Sequence, residues 1–296
     1  MTYLTKEDWT TFLVPKISDD ISFSAHLKQN IKIQNAFILL ISKILNSSSK
    51  NLSRRILLAS MIYYHKYIIT NNISFSDLSS LDKLVLFSSC IFLAFKVENK
   101  LIDIKVISNK FQNLFNKFKH FEIEEIKELI IKQEFEILLS LEFNISIDWP
   151  YELIKLLIIY LKKMEKSNET ITKIINYVNL NINDSILFPL CLYYTPNEIA
   201  FSCILLAKEK YKFDFINITD LIKLNHYQVD NEQIKECSLY ISKIIQFKEN
   251  LIANINANNK LNININLKEQ NNMLDNIKEK CSLNLNNLAL INTNTN

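Results

Sequence analysis

The run Leu81–Glu98, LDKLVLFSSCIFLAFKVE, constrains this chain more than any other stretch. From Leu84 to Phe95 only Ser88 and Ser89 are polar, and apolar residues fall on every face of a helix drawn through them. A helix that is hydrophobic all round is buried on all sides. The run is short of the ~20 apolar residues a bilayer span needs. It therefore predicts the central helix of an all-helical domain. Ser88, Ser89, Cys90 and Ala94 are small, which lets neighbouring helices approach to the usual ~8–10 Å. The run ends in charge at Lys96, Glu98 and Lys100, so one end of a buried helix brings a lysine to the surface.

A second copy of this pattern exists. Ser89-Cys90-Ile91-Phe92-Leu93-Ala94 recurs as Ser202-Cys203-Ile204-Leu205-Leu206-Ala207, and each copy sits in a similar train of helical patterns. Two tandem helical units are the natural reading. Composition agrees. The 296 residues suffice for two domains and 48% are hydrophobic, enough to bury a sizeable core. Glycine is absent and proline occurs four times. Turns must then rest on Asn, Asp and Ser, which favours helices over tight hairpins. A net charge of +3 is too mild to argue for nucleic acid or a membrane. The five cysteines, Cys90, Cys191, Cys203, Cys237 and Cys281, show no CxxC spacing and read as reduced thiols. The stretch MTYLTKEDWTTF lacks the pattern of a signal peptide, so a cytosolic or nuclear protein is expected.

Residues 1–30 read as a lead-in with a short helix near Phe23–Lys28 and with Trp9, Phe12 and Leu13 as anchors. Five helical patterns then fill a first unit, 31–148: Ile31–Leu45, Leu52–Ile69 after the loop Asn46–Ser49, the central run with Ser79 or Ser80 as its cap, Ile102–Phe118 and Glu122–Leu141. Pro150 disfavours helix at Trp149. A second unit, 149–250, follows, with helices at Tyr151–Met164, from Glu169 to Asn183 or beyond, and after Thr195, a short element at Phe213–Leu224, and a last helix at Asn231–Phe247. Thr195-Pro196-Asn197-Glu198 is a strong start signal: an N-cap, proline at the first helical position and the glutamate of a capping box. The Asn-rich tail, 251–296, is expected to be disordered or to hold one short helix over Asn272–Lys280.

Catalytic readings do badly. His26, His65, His120 and His226 lie at neither ligand nor triad spacing, so no metal and no cofactor is expected. Without glycine no phosphate-cradling loop of the usual kinds can be built. Two charges stand out by position. Lys96 extends the apolar stripe of Phe92 and Leu93, and Glu134 interrupts the stripe of Ile130 and Ile137. Spacing alone makes each an ordinary solvated helix residue.

In order, Leu93-Ala94-Phe95-Lys96-Val97-Glu98, Glu134-Phe135-Glu136-Ile137-Leu138 and Leu141-Glu142-Phe143-Asn144-Ile145 resemble the cyclin box, a five-helix unit that many cyclins carry twice. Asn183-Asp184-Ser185, Leu190-Cys191-Leu192-Tyr193-Tyr194, Pro196-Asn197-Glu198-Ile199-Ala200 and the junction Trp149-Pro150-Tyr151 resemble the second box of transcription-type cyclins, the C, K, L and T group. The resemblance covers about residues 25–250. It implies an all-α fold of two tandem cyclin boxes, and a non-catalytic regulatory subunit that binds and activates a cyclin-dependent protein kinase. That kinase would act in RNA polymerase II transcription or RNA processing, in the nucleus and also the cytoplasm. The family's kinase-binding Lys and Glu fall on Lys96 and Glu134, and its flanking positions on Leu93, Val97, Leu138, Phe143 and Ile145. Arg54-Arg55-Ile56-Leu57-Leu58-Ala59 does not reproduce the substrate-docking motif of cell-cycle cyclins. The rival reading uses the same fold as a scaffold or core transcription factor that binds nucleic acid or promoter proteins, and predicts a basic face on one unit.

Overall fold

The computed structural model describes residues 20–45, 50–212 and 229–254, and among these every regular element is helical. The helices are α1 Asp20–Leu45, α2 Lys50–Thr70, α3 Ser80–Val97, α4 Ile104–Phe115, α5 Ile123–Ser140, α6 Glu152–Lys163, α7 Asn168–Ser185, a 3₁₀ turn Leu190–Leu192, and α8 Pro196–Tyr211. A further helix, α9, covers residues 231–254. The chain divides into two compact units, Met1–Ile245 and Gln246–Asn296. Residues 246–254, the described part of the latter, are helical. Trp9, Phe12 and Leu13, the loop Asn46–Ser49, the element Phe213–Leu224 and the tail helix Asn272–Lys280 lie outside the described residues.

Most helix ends fall within three residues of the sequence reading, and two boundaries differ by more. The lead-in helix and the first helix run together as α1, with Phe23, Leu27, Ile33 and Phe37 all buried on it. No proline or glycine intervenes to break the backbone ladder there. The last helix continues beyond Phe247 through residue 254.

The helix ends follow from local chemistry. Ser79 caps α3: its hydroxyl accepts from the Asp82 N–H at 3.1 Å, and the Asp82 carboxylate accepts from the Ser79 N–H at 3.3 Å. Thr195 and Glu198 do the same at α8, at 3.2 and 2.7 Å. At the other ends the lack of glycine has a visible consequence. Four helices close by the double hydrogen bond of a Schellman turn, whose reversing residue has positive φ. Here that residue is Asn72, Asn99, Glu142 or Glu165, with φ between 49° and 53°. Asparagine tolerates this region, whereas a glutamate held there costs about 1 kcal/mol.

Within Met1–Ile245 the core is built around α3, which is buried without interruption from Val85 to Phe95. Helices α2 and α5 supply its main packing partners, with α1 and α4 closing the layer. The duplicated hexapeptide is also a structural repeat. Ser89 Oγ lies 2.9 Å from the Val85 carbonyl of its own helix and 2.9 Å from the Ile130 carbonyl of α5. Ser202 Oγ lies 2.7 Å from the Glu198 carbonyl of its own helix and 2.8 Å from the Ile234 carbonyl of α9. In both copies a fully buried serine ties the central helix to a helix that follows it. Ser89→Ala and Ser202→Ala are each expected to lower stability by about 1 kcal/mol. Urea denaturation of both variants checks this, and a loss at one site only would show that the repeat is not equivalent in energy.

The Trp149 ring stands 6.2 Å from that of Tyr151. The Tyr151 hydroxyl donates to Asn183 Oδ1 at 2.6 Å, which gives the Asn183-Asp184-Ser185 motif a fixing role. Cys90, Cys203 and Cys237 are buried and Cys191 is half-buried, and none of the four is paired. Burial pushes the Cys191 thiol up to about 11 and Cys237 up to about 12, so these thiols are inert at neutral pH.

Candidate functional site: a buried carboxylate held by an exposed lysine

Glu134 sits on the buried face of α5 because Ile130 precedes it by four residues and Ile137 follows it by three, and both are fully buried. Its side chain is 6% exposed. An ionised carboxylate there needs a charged or hydrogen-bonding partner. Lys96 provides it. Lys96 stands seven residues after Ser89 on α3, close to two helical turns, so it shares the face that Ser89 turns toward α5. The Ser89 bond to Ile130 fixes the register, and Lys96 Nζ then reaches both Glu134 oxygens, at 2.8 and 2.9 Å.

The pair is asymmetric. The Lys96 side chain is 45% exposed while that of Glu134 is almost covered. Nζ also lies 4.1 Å above the centre of the Phe92 ring, a cation–π contact that holds the ammonium over α3. An ammonium has three N–H donors. Two are directed at the carboxylate, which leaves one for an incoming acceptor.

The residues flanking the pair divide by exposure. Leu93 is 2% exposed and belongs to the core beneath the pair. Val97, Leu138 and Ile145 are half-buried against that core. Phe143 is 58% exposed. It follows Glu142 with φ 59° and caps α5 through its N–H to the Leu138 carbonyl at 2.8 Å. Two successive left-handed residues other than glycine are a strained way to leave a helix, and here they turn the Phe143 ring outward. The Ile145 carbonyl accepts from the Tyr63 hydroxyl at 2.7 Å, which anchors the loop to α2.

The structure adds residues that spacing did not single out. Ile131, Phe135 and Leu139 form an exposed stripe of α5 beside Leu138. Phe135 meets the Phe143 ring edge-to-face at 6.4 Å. A helical wheel through α5 would have revealed this stripe, because three large apolar side chains share one side of the helix with no buried partner in sequence. Arg55 Nη1 lies 3.4 Å from Glu98, two residues after Lys96 on the chain. Chemically the surface offers an ammonium donor, a buried carboxylate and an apolar rim. That is equipment for binding a polypeptide, and among the described residues no three His, Cys, Asp or Glu side chains come together to hold a metal ion.

No protein-family model matches the chain. It is 27% identical over 182 residues to cyclin-T1-3 of Oryza sativa subsp. japonica, a match covering 58% of this chain and 35% of that one. It is 26% identical over 155 residues to human cyclin-K, covering 52% of this chain and 25% of that protein. The matches thus span about a third or less of the length of these relatives. The fold is shared with a chain of the crystal structure of the yeast RNA Pol II CTD kinase CTDK-1 complex, at a TM-score of 0.55 and 15% identity, over 81% of this chain and 72% of that one.

Proposed function

We infer that this chain, a cyclin similar in sequence to the transcription-type members, is the regulatory subunit of a cyclin-dependent protein kinase. The observation that carries the reading is the Lys96–Glu134 pair, formed between residues 38 positions apart on two helices and left open on its lysine side. In this proposal the first unit, 31–148, presents Lys96, Glu134, Val97, Leu138, Phe143 and Ile145 to the kinase, with Leu93 as the packed support beneath them. The lead-in 1–30, the second unit 149–250 and the tail 251–296 flank it.

The mechanism is positional. The kinase's mobile regulatory helix docks on this face and is held inward. Its own glutamate then meets the lysine that orients ATP, and the activation loop opens. Lys96 donates its remaining N–H to a backbone carbonyl of the kinase. The covered Glu134 keeps the ammonium in place, so less side-chain entropy is lost on binding. The apolar rim supplies the non-directional part of the affinity. The chain performs no phosphoryl transfer itself. Its kinase acts on RNA polymerase II or on RNA processing, in the nucleus.

Affinity capture of the tagged full chain from its native cells tests this. A protein kinase active on serine or threonine is expected with the wild type and absent with Lys96→Ala/Glu134→Ala. Equal recovery with both would move the interface away from the pair. No kinase with either, under conditions that preserve complexes, would favour the scaffold reading.

A further inference from the structure

The mild net charge of the chain conceals an uneven distribution. From Ile21 to Leu45 and from Ile104 to Phe121 there is no Asp or Glu, and the two stretches hold seven lysines. The rest of the chain carries 27 basic residues against 31 acidic ones. The stretches are α1 and α4 with the turn that follows it, and the two helices pack against each other.

Periodicity sorts α4 into two sides. Ile107, Ser108, Phe111 and Phe115 are buried, while Lys105, Asn109, Asn113 and Lys117 recur every fourth residue and are all exposed. On α1, Lys28, Lys32 and Lys43 are exposed. None of these lysines, nor Lys119, forms an ion pair among the described residues. The carboxylates that border α4 and its turn are engaged. Asp103 accepts from the Lys105 N–H at 2.8 Å as the cap of α4. Glu122 meets His120 at 3.0 Å, Glu124 meets Lys127 at 2.6 Å, and Glu125 accepts from the Glu122 N–H at 2.8 Å.

Reach and an aromatic ring decide between anionic partners. Lys28 and Lys43 stand about 22 Å apart along α1. A single phosphate spans little of that length, whereas a backbone with a repeating phosphate charge can follow it. Phe118 lies between Lys117 and Lys119, is 46% exposed, and has no ring or ammonium set against it among the described residues. Its turn is fixed, because Asn116 Oδ1 accepts from the Phe121 N–H at 2.8 Å. Lys119 Nζ lies 4.5 Å above the buried Phe121 ring and leaves the Phe118 ring clear. A free aromatic face beside ammonium groups is what the bases of a single strand stack on. A duplex keeps its bases stacked on one another, and an acidic peptide has no bases to offer. The exposed row of α4 is Lys and Asn, with no apolar side chains to enter a bilayer.

We propose that the first unit binds single-stranded nucleic acid along α4 and α1, with Lys105 and Lys117 on the phosphates and Phe118 stacked on a base. The site is additional to the Lys96–Glu134 face and does not rest on the kinase-binding reading.

Fluorescence anisotropy of the full chain, without a kinase, tests this with three labelled probes: a short single-stranded RNA, the same RNA as a duplex, and a polyglutamate peptide of equal charge. Sedimentation with phosphatidylserine vesicles is run beside them. The single strand is expected to bind more tightly than the other three and to weaken as salt rises. Lys105→Gln/Lys117→Gln is expected to lose about tenfold or more, with a shallower salt dependence. Phe118→Ala is expected to lose about fivefold or more, with the salt dependence unchanged. Circular dichroism checks that both variants are folded. Lys155→Gln, an exposed lysine of α6 paired with Glu152, is expected to bind as the wild type does. Absence of RNA binding, binding unchanged in both α4 variants, or an equal loss in Lys155→Gln would overturn the site. Duplex, peptide or vesicle binding as tight as that of the single strand would overturn the assignment to single-stranded nucleic acid.

Discussion

Replacing Lys96 alone by alanine destabilises the chain more than replacing Lys96 and Glu134 together. The single change leaves the Glu134 carboxylate, 6% exposed, without its charged partner among the described residues. An orphaned buried acceptor costs about 1–3 kcal/mol, and more if it is charged. Glu134→Ala is the milder change, because Lys96 is 45% exposed and its ammonium can turn to water. The double variant removes the orphan and is expected to lie close to Glu134→Ala. Denaturant titration of the four proteins gives the cycle, and equal losses from the two single changes would show that water already reaches the carboxylate.

The kinase readout separates from the stability readout. All three variants stay folded, since this loss is small beside the ~5–15 kcal/mol that holds a typical protein. Yet each removes a central charged anchor of the proposed interface. Such anchors are worth about 2–4 kcal/mol in binding, so affinity for the kinase is expected to fall about 30-fold to several hundredfold. A double variant that regains stability and also binds the kinase normally would rule out the pair as the interface.

Acid is expected to unfold this protein through its buried histidines. His65 is 4% exposed, and its Nε2–H donates to the Ile186 carbonyl at 3.1 Å. His26 lies beside it with its ring 5.4 Å from Phe188, and its Nε2 is buried without a hydrogen-bond partner among the described residues. The cavity they share measures about 180 Å³ and is lined otherwise by uncharged residues, among them Gln29, Asn30, Tyr64, Asn72 and Ser74. Burial holds both imidazoles neutral, lowering His26 to about 4 and His65 to about 3, the latter also by the nearby His26. The unfolded chain takes up these protons near pH 6.5, whereas the folded chain takes them up only near pH 4 and below. The unfolded state therefore binds more protons through that window, and stability falls as pH falls.

The size of the effect is large for one site. A pKa difference of one unit is worth about 1.4 kcal/mol. The shift of His65 then amounts to about 3–5 kcal/mol between neutral pH and pH 4, a sizeable part of a typical folding free energy. His65→Gln keeps an N–H donor for Ile186 and removes the titration. Its stability is expected to vary about half as much between pH 6.5 and 4.5 as that of the wild type, with His26 supplying the rest. An unchanged slope would place the acid sensitivity on the carboxylates instead.

Much of the fold was legible because its signals are local. The all-round apolarity of Val85–Phe95 could only mean burial. Thr195, Pro196 and Glu198 announced the start of α8 because a capping box satisfies its own donors within one turn. The duplicated hexapeptide revealed a repeat whose two serines do make equivalent bonds. The merger of the lead-in with α1 was not legible, because a polar stretch such as His26–Asn30 carries no local mark of burial until Asn30 Nδ2 meets the Leu187 carbonyl at 2.9 Å.

The sequence by itself determined that this chain is helical, carries a repeated hexapeptide and is centred on α3, since helix periodicity, capping and small-residue spacing act over a few residues. Only the tertiary structure decided what its polar residues do. Lys96 and Glu134 are ordinary helix charges until α3 and α5 pack and bring them to 2.8 Å. His26 and His65 are unremarkable until packing buries both rings side by side. Each of these depends on distance and desolvation between residues far apart in the chain, and electrostatic energies are set by those two quantities rather than by residue type.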